Sequence, residues 1–509
     1  MPDTLQLTGN DLTLSDVRRV AEDVSWHVAL SPPAKKNVDA SRQVIESILA
    51  GGKTVYGVNT GFGAMSSVVI KPDQLEQLQA NLVRSHCAGA GPLLDIPAVR
   101  AMMLLRANTL AKGYSGVRPV VIETLLEMLN AGVHPCVPSQ GSLGASGDLA
   151  PLAHMAAVLM GEGEAFYQNE KLPGADALKK AGIQPLTLKA KEGLALLNGT
   201  QMMTAIGVLA LLEAEHLADV ADIAGAMSIE AVMGSHKPFD ERIYNVRPHA
   251  GHKISAERIR GYLKNSQVAH AHENCTKVQD AYSLRCIPQV HGAARDAMKY
   301  ARGVLEIEIN AATDNPLVFP ADKDHPEGSI VSQGNFHGEP VAMALDMLAI
   351  ALSELASISE RRMDKLMNPV FSELPAFLVP KGHEGLNSGF MIVHYAAVAL
   401  VSENKILAHP AVVDSIPTSN DKEDHVSMGA TSARKARRIL AHTRWVLASE
   451  LLCAAQALEF HCFGEHQLKP GDGVAKAYAE IRKVVAPLTT DRPLRNDVET
   501  ITGILEQLL

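Results

Sequence analysis

Residues 341–368 read VAMALDMLAIALSELASISERRMDKLMN, a run with no glycine and no proline. Val341, Leu345, Leu348, Leu352 and Leu355 recur at spacings of three and four, which places them in one stripe of an α-helix. A helix of 28 residues would be about 42 Å long at the standard rise. Two more segments read the same way. Residues 430–463 carry Leu440, Leu447, Leu451, Ala454 and Leu458 on one face, and residues 200–233 are interrupted only by Gly207 and Gly225. The predicted fold is therefore mainly α, with a long central helical bundle over 201–509. A smaller, loop-rich, mixed region over 1–200 has Gly and Pro punctuating its short helices. The long helices are apolar over more than one face, which predicts a homo-oligomer. Residues 313–340 hold Pro, Gly and Asp between helices and read as a long loop of the kind that often carries function.

Composition agrees with packed helices. Apolar residues make up 47% of the 509 and aromatics only 4%, so the core must be built from Leu, Ala, Ile, Val and Met. The formal charge is −9 with no basic run, which gives no support for nucleic-acid binding. Six scattered cysteines without a CxxC pair fit a reducing compartment rather than a disulfide scaffold. The N-terminus carries acids and lacks an apolar core, and residues 206–212 soon meet Glu213 and Glu215. A cytoplasmic protein, neither exported nor membrane-spanning, is the expectation.

Several familiar motifs fail. Gly52-Lys53-Thr54 ends like a P-loop, but Ser47 stands where its first glycine must be. Gly57, Gly61 and Gly63 lack dinucleotide-site spacing. His270, His272 and Cys275 in HAHENC have no second cluster with zinc-like spacing, so no metal is expected. No external cofactor is implied.

The segment GSLGASGDLAPLAH, residues 141–154, opens on a dense set of small residues and then gives a plausible helix start at Asp148 with Pro151 in its first turn. Read locally, it is a tight turn with an N-cap, or an anion site at a helix N-terminus. A third reading is self-modification. The Gly147 amide nitrogen can attack the Ala145 carbonyl carbon. Loss of water and of the Ser146 hydroxyl would then leave a 4-methylidene-imidazol-5-one, a strong electrophile. Only a residue without Cβ leaves that nitrogen so accessible.

This segment resembles the signature of the aromatic amino acid lyase family. The resemblance runs from VYGVNTGFG (55–63) to EDHVSMG (423–429) and the helix beyond, with the motifs in the family order. It implies an all-helical fold, a homotetramer with active sites shared between subunits, and the electrophile formed from Ala145, Ser146 and Gly147.

It also implies roles for particular residues. Tyr56 is the leading candidate for the base, though locally it reads equally as a core tyrosine. Tyr282 is a second proton carrier and Gln279 lines the site beside it. Arg285, in VQDAYSLRC, would hold a substrate carboxylate as a bidentate pair; otherwise it is a structural ion pair. Asn198, in LALLNGTQ, would hydrogen-bond the electrophile and substrate, or else cap a helix beside Gly199. Phe336, in GNFHGEP, would pack beside the ring.

Two positions bear on substrate choice. His86, in NLVRSHCAGAG, can bond a phenol or an imidazole. Glu423, in SIPTSNDKEDHVSMG, can accept an imidazole N–H, whereas against a phenyl ring it would be a buried charge without a partner. The resemblance thus points to L-histidine as substrate, with ammonia and trans-urocanate as products and histidine breakdown as the setting. A tyrosine lyase or aminomutase, or a non-catalytic helical scaffold, are the alternatives. Asn420, Asp421 and Lys422 depart from the Ala-Asn-Gln often found in the bacterial histidine branch, a difference that bears on the loop and on charge at the pocket mouth.

Overall fold

The computed structural model describes residues 4–61, 65, 67–271, 278–463 and 467–509. The chain forms two units. The first comprises Met1–Leu209, Ala301–Asp346 and Pro410–Arg434, and the second Ala210–Tyr300, Met347–His409 and Lys435–Leu509. The helices Gln201–Ala231, Glu339–Met367 and Gly429–His461 contribute their first turns to the first unit and the remainder to the second. Their bounds lie within two residues of the breaker-free segments of the sequence. The protein is mainly α, as the apolar periodicity requires.

In the first unit, short helices and small sheets surround the helix Ile96–Ala111. Every residue from Ala98 to Ala111 is buried, so this helix has no solvent face and no amphipathic stripe. Two arginines sit on it with no exposure. Arg100 donates to the Val20 and Leu129 carbonyls at 2.8 and 3.0 Å, and Arg106 to the Asn198 carbonyl at 2.9 Å. Carbonyl partners make such burial tolerable. The helix ends follow local chemistry. Thr13 and Asp16 form a capping box before Leu14–Glu22, and Ser31 caps Pro32–Ala50. The sheets are minor, the largest being the antiparallel set His134–Pro135, Glu164–Tyr167 and Glu170–Pro173. The predicted loop over 313–340 contains a short hairpin, Leu317–Phe319 paired with Ser329–Val331.

The second unit is a bundle of long helices. At its centre Glu450 is buried and accepts from Ser228 Oγ at 2.7 Å, Ser359 Oγ at 2.6 Å and Arg362 Nη2 at 2.7 Å. A charge with its counter-ion and two hydroxyls is the form in which a carboxylate survives burial. By length and hydropathy Glu339–Met367 could cross a membrane, but 67% of that apolar stretch is buried within the protein, as in a core helix.

Candidate active site

The loop 141–147 runs into the helix Leu149–Leu159. Gly144 and Gly147 have φ of +71° and +73°, a region that costs other residues about 1–2 kcal/mol. There is also no room for a side chain. A Cβ on Gly147 would stand 2.1 Å from Gly199 O, and one on Gly144 2.2 Å from Ser427 Oγ. Gly147 and Gly199 form a parallel bridge, and Asp148 N donates to Gly199 O at 2.6 Å. Ala145 is buried in an apolar cluster with Val426 and Met428. The three residues singled out in the sequence are therefore gripped from both sides.

Asp148 occupies the N-cap position but its side chain does not cap the helix. That differs from the local N-cap reading. Instead its Oδ2 accepts from Met203 N at 2.9 Å, and Ser142 Oγ stands 3.2 Å from Oδ1 and 3.3 Å from Gly147 O. Asp148 is wholly buried, and loss of hydration pushes its carboxyl up to about 7.

The segment 410–434 packs on the same loop. Met428 N donates to Leu143 O at 2.8 Å and Ser427 Oγ to Gly144 O at 3.1 Å. Upstream, Ser419, Asn420 and Asp421 all have positive φ, between 52° and 61°. Asn and Asp tolerate that conformation better than most residues, so the Asn420-Asp421 departure matches the backbone it occupies. The turn closes with Thr418 and Glu423 bridged, Thr418 N to Glu423 O at 2.9 Å. It sets Glu423 so that Oε2 accepts from Thr418 Oγ1 at 3.1 Å and Oε1 from Ser146 Oγ at 2.7 Å.

Asn198 lies at the C-terminus of the helix Glu192–Leu197. Its Nδ2 donates to Ser146 O at 3.4 Å, while its Oδ1 is buried without a hydrogen-bond partner among the described residues. Arg106 holds the Asn198 backbone carbonyl, and burial brings that guanidinium down to about 10, still charged at neutral pH. His86, at the end of Leu75–His86, has Nδ1 at 2.8 Å from Leu82 O. A carbonyl can only accept, so Nδ1 carries a proton and, in the neutral ring, Nε2 is an acceptor.

These groups surround one cavity of about 520 Å³, lined by Tyr56, His86, Ser146, Asn198 and Glu423, with Ser419 and Asn420 at its margin. The volume suits an amino acid. Tyr56 is half-buried there. Phe336 is half-buried in the loop whose Gly338 N donates to Gly144 O at 3.1 Å, and it is not among the cavity residues. Gln279, Tyr282 and Arg285 belong to the second unit. There Gln279 is exposed, Tyr282 is 71% exposed and Arg285 lies over the Tyr282 ring at 4.6 Å. Arg285 Nε is buried without a hydrogen-bond partner among the described residues. Phe62 and Gly63 of the YGVNTGFG motif, His272, Cys275 and the side chain of His270 lie outside the described residues.

Sequence reasoning did not single out Ser142, Thr418 or Arg106. The first two are hydroxyls whose importance comes only from what they touch. Arg106 is one arginine in an apolar helix, and that unusual placement was a readable signal.

A model of the aromatic amino acid lyase family matches residues 12–483. A histidine ammonia-lyase of Koribacter versatilis is 55% identical, the alignment covering 98% of this chain and 97% of that protein. Among solved structures, histidine ammonia-lyase from Trypanosoma cruzi superposes with a TM-score of 0.90 at 43% identity, covering 99% of this chain and 94% of that one. Tyrosine aminomutase from Streptomyces globisporus superposes with a TM-score of 0.91 at 39% identity, covering 100% and 97%.

Proposed function

The chain belongs to the aromatic amino acid lyase family, and from that premise we propose that it eliminates ammonia from L-histidine to give trans-urocanate, the opening step of histidine breakdown. One observation carries the substrate choice: Glu423 presents its carboxylate to the same cavity as Ser146, with His86 on the wall. A carboxylate and an imidazole acceptor suit a side chain that offers N–H donors. A phenyl ring would leave both without partners.

The residues fit the prosthetic group that the family implies. Gly147 can carry no Cβ, Ser146 has its carbonyl on Asn198, and Ala145 is fixed by apolar packing. Ala145, Ser146 and Gly147 would together form the 4-methylidene-imidazol-5-one, without any external cofactor. Once formed, that group supplies an electron-poor alkene that draws electron density from the bound amino acid.

The chain's other residues bind, orient and move protons. Glu423 accepts an imidazole N–H and His86 fixes the ring's orientation. Asn198 Oδ1, buried and without a partner among the described residues, accepts from the substrate ammonium. Tyr56 takes the β-proton; its phenol needs a lowered pKa, for which a neighbouring positive charge is one means. Arg285 holds the substrate carboxylate, Gln279 and Tyr282 line the site beside it, and Phe336 packs beside the modified ring.

A homotetramer with shared sites is the proposed state, in which Gln279, Tyr282 and Arg285 would complete a site of another subunit. Exposed apolar side chains support it: Ile392, Tyr395, Val398 and Ile406 on the helix Met391–Leu407 are 40–75% exposed. A second copy of the chain is their proposed cover. The cytoplasm is the proposed compartment, without nucleic-acid or membrane partners.

Parallel assays with L-histidine and L-tyrosine, following urocanate and coumarate absorbance, test this reading. Histidine should be the better substrate; faster turnover of tyrosine would replace it with the tyrosine lyase or aminomutase alternative.

A further inference from the structure

The Ser146–Glu423 hydrogen bond is made by a hydroxyl that the finished enzyme, on the proposed function, no longer has. We propose that Glu423 acts before any substrate arrives, as the acid that expels the Ser146 hydroxyl while the Ala145-Ser146-Gly147 segment matures. This inference rests on the proposed self-modification.

Maturation releases two waters. The first comes from ring closure, when Gly147 N bonds to the Ala145 carbonyl carbon. The former carbonyl oxygen then leaves with the protons of the Gly147 and Ser146 amides. The second comes from Ser146 itself. Its Cα–H bond breaks and that electron pair forms the Cα=Cβ bond. The Cβ–Oγ bond breaks with its pair on oxygen. Hydroxide is a poor leaving group, so Oγ must be protonated as it departs. The Cα proton passes to solvent, Glu423 is left as the carboxylate, and the chain loses one water.

Glu423 is built for that transfer. Its Oε1 lies 2.7 Å from Ser146 Oγ, and it is that hydroxyl's side-chain partner among the described residues. Thr418 Oγ1 donates to Oε2 at 3.1 Å, which keeps Oε2 an acceptor. A proton on this carboxyl therefore sits on Oε1, facing the leaving oxygen. The Thr418–Glu423 bridge fixes the geometry through the backbone as well. The other nearby acid, Asp148, is engaged by Met203 N and Ser142 Oγ and makes no hydrogen bond to Ser146 Oγ. The arrangement is also self-timing. The departing hydroxyl vacates Oε1, the acceptor that histidine's imidazole needs, so the substrate contact opens when the electrophile is complete.

The test is the intact mass of the full chain, made by cell-free synthesis and quenched at intervals. The wild-type chain should lose two waters. Glu423→Gln keeps the size and a hydrogen bond to the hydroxyl but supplies no acid. It should lose the first water normally and the second about a hundredfold more slowly. Glu423→Asp should recover part of that rate, and Thr418→Val, which leaves the acid in place, should slow the second loss severalfold. Far-UV circular dichroism checks that each variant folds. The assignment is overturned if folded Glu423→Gln loses both waters at the wild-type rate, or loses neither. Should Gln at 423 prevent folding, an unchanged second step in Thr418→Val together with one in Glu423→Asp no faster than background overturns it instead. A wild-type chain that stays at full mass strikes the proposed function, not this assignment alone.

Discussion

Gly147 and Gly199 meet backbone to backbone, in a bridge so close that a Cβ on Gly147 would lie 2.1 Å from Gly199 O. Asp148 N donates to that same carbonyl at 2.6 Å, and Arg106 holds the carbonyl of the preceding residue, Asn198. A buried guanidinium thus fixes one strand of backbone, which fixes the other, which carries Ala145, Ser146 and Gly147. The precision that the proposed cyclisation would demand comes from these contacts rather than from the segment itself.

Gly147→Ala should therefore block maturation. The methyl group meets a carbonyl oxygen that these contacts hold in place, and the backbone sits at φ +73°. Strain of about 1–2 kcal/mol from the dihedral alone, before any clash, should lower the melting temperature. Intact mass should show no loss of water. A Gly147→Ala chain with the full two-water deficit would contradict that packing.

Ser146→Ala should separate folding from chemistry. The hydroxyl's hydrogen bond to Glu423 is part-buried, and removing it leaves the backbone contacts of residues 144–148 in place. The melting temperature should fall by a few degrees at most, corresponding to about 1 kcal/mol. Histidine turnover should fall by orders of magnitude, since no alkene can form. Turnover near the wild-type rate would remove the self-made electrophile from the mechanism.

The sequence revealed the helices and the small-residue segment because both are local signals. Apolar spacing placed Glu339–Met367 and Gly429–His461 to within two residues. Asp148 was harder: its position before Leu149 looks like a cap, and only the fold shows Met203 N claiming the carboxylate. The pairing of Ser146 with Glu423 spans 277 residues and has no local signature. Nor does the return of 410–434 to the first unit, which depends on packing between Val426, Met428 and Ala145. The family resemblance, not periodicity, singled out Glu423.

Glu423→Gln should shift substrate preference once incomplete maturation is accounted for. Rates should be divided by the mature fraction read from intact mass. Replacing a charged acceptor by a neutral amide weakens its hydrogen bond to an imidazole N–H, and a loss of about 2–3 kcal/mol corresponds to roughly a hundredfold in kcat/KM for histidine. The effect on tyrosine, whose phenol can pair with an amide, should be smaller. Equal losses on both substrates would show that Glu423 does not contact the side chain.

Asp148 should make stability depend on pH. Its carboxyl is wholly buried, and loss of hydration raises it from 3.8 to about 7, against the opposing pull of Met203 N and Ser142. A folded-state value above the unfolded one means that the folded protein favours the neutral acid. The stabilisation is complete below about pH 4 and is lost as pH rises through about 7. Asp148→Asn stays neutral throughout, and its amide can still accept from Met203 N and donate to Ser142 Oγ. The melting temperature of the wild-type chain should therefore fall more steeply between about pH 4 and pH 7 than that of Asp148→Asn. Glu230, also raised to about 7 by burial, contributes the same sign in both proteins, so the difference between the two curves is the quantity to read. Parallel curves would show that Asp148 titrates at the same pH folded and unfolded, and that its burial is relieved by contacts other than those seen.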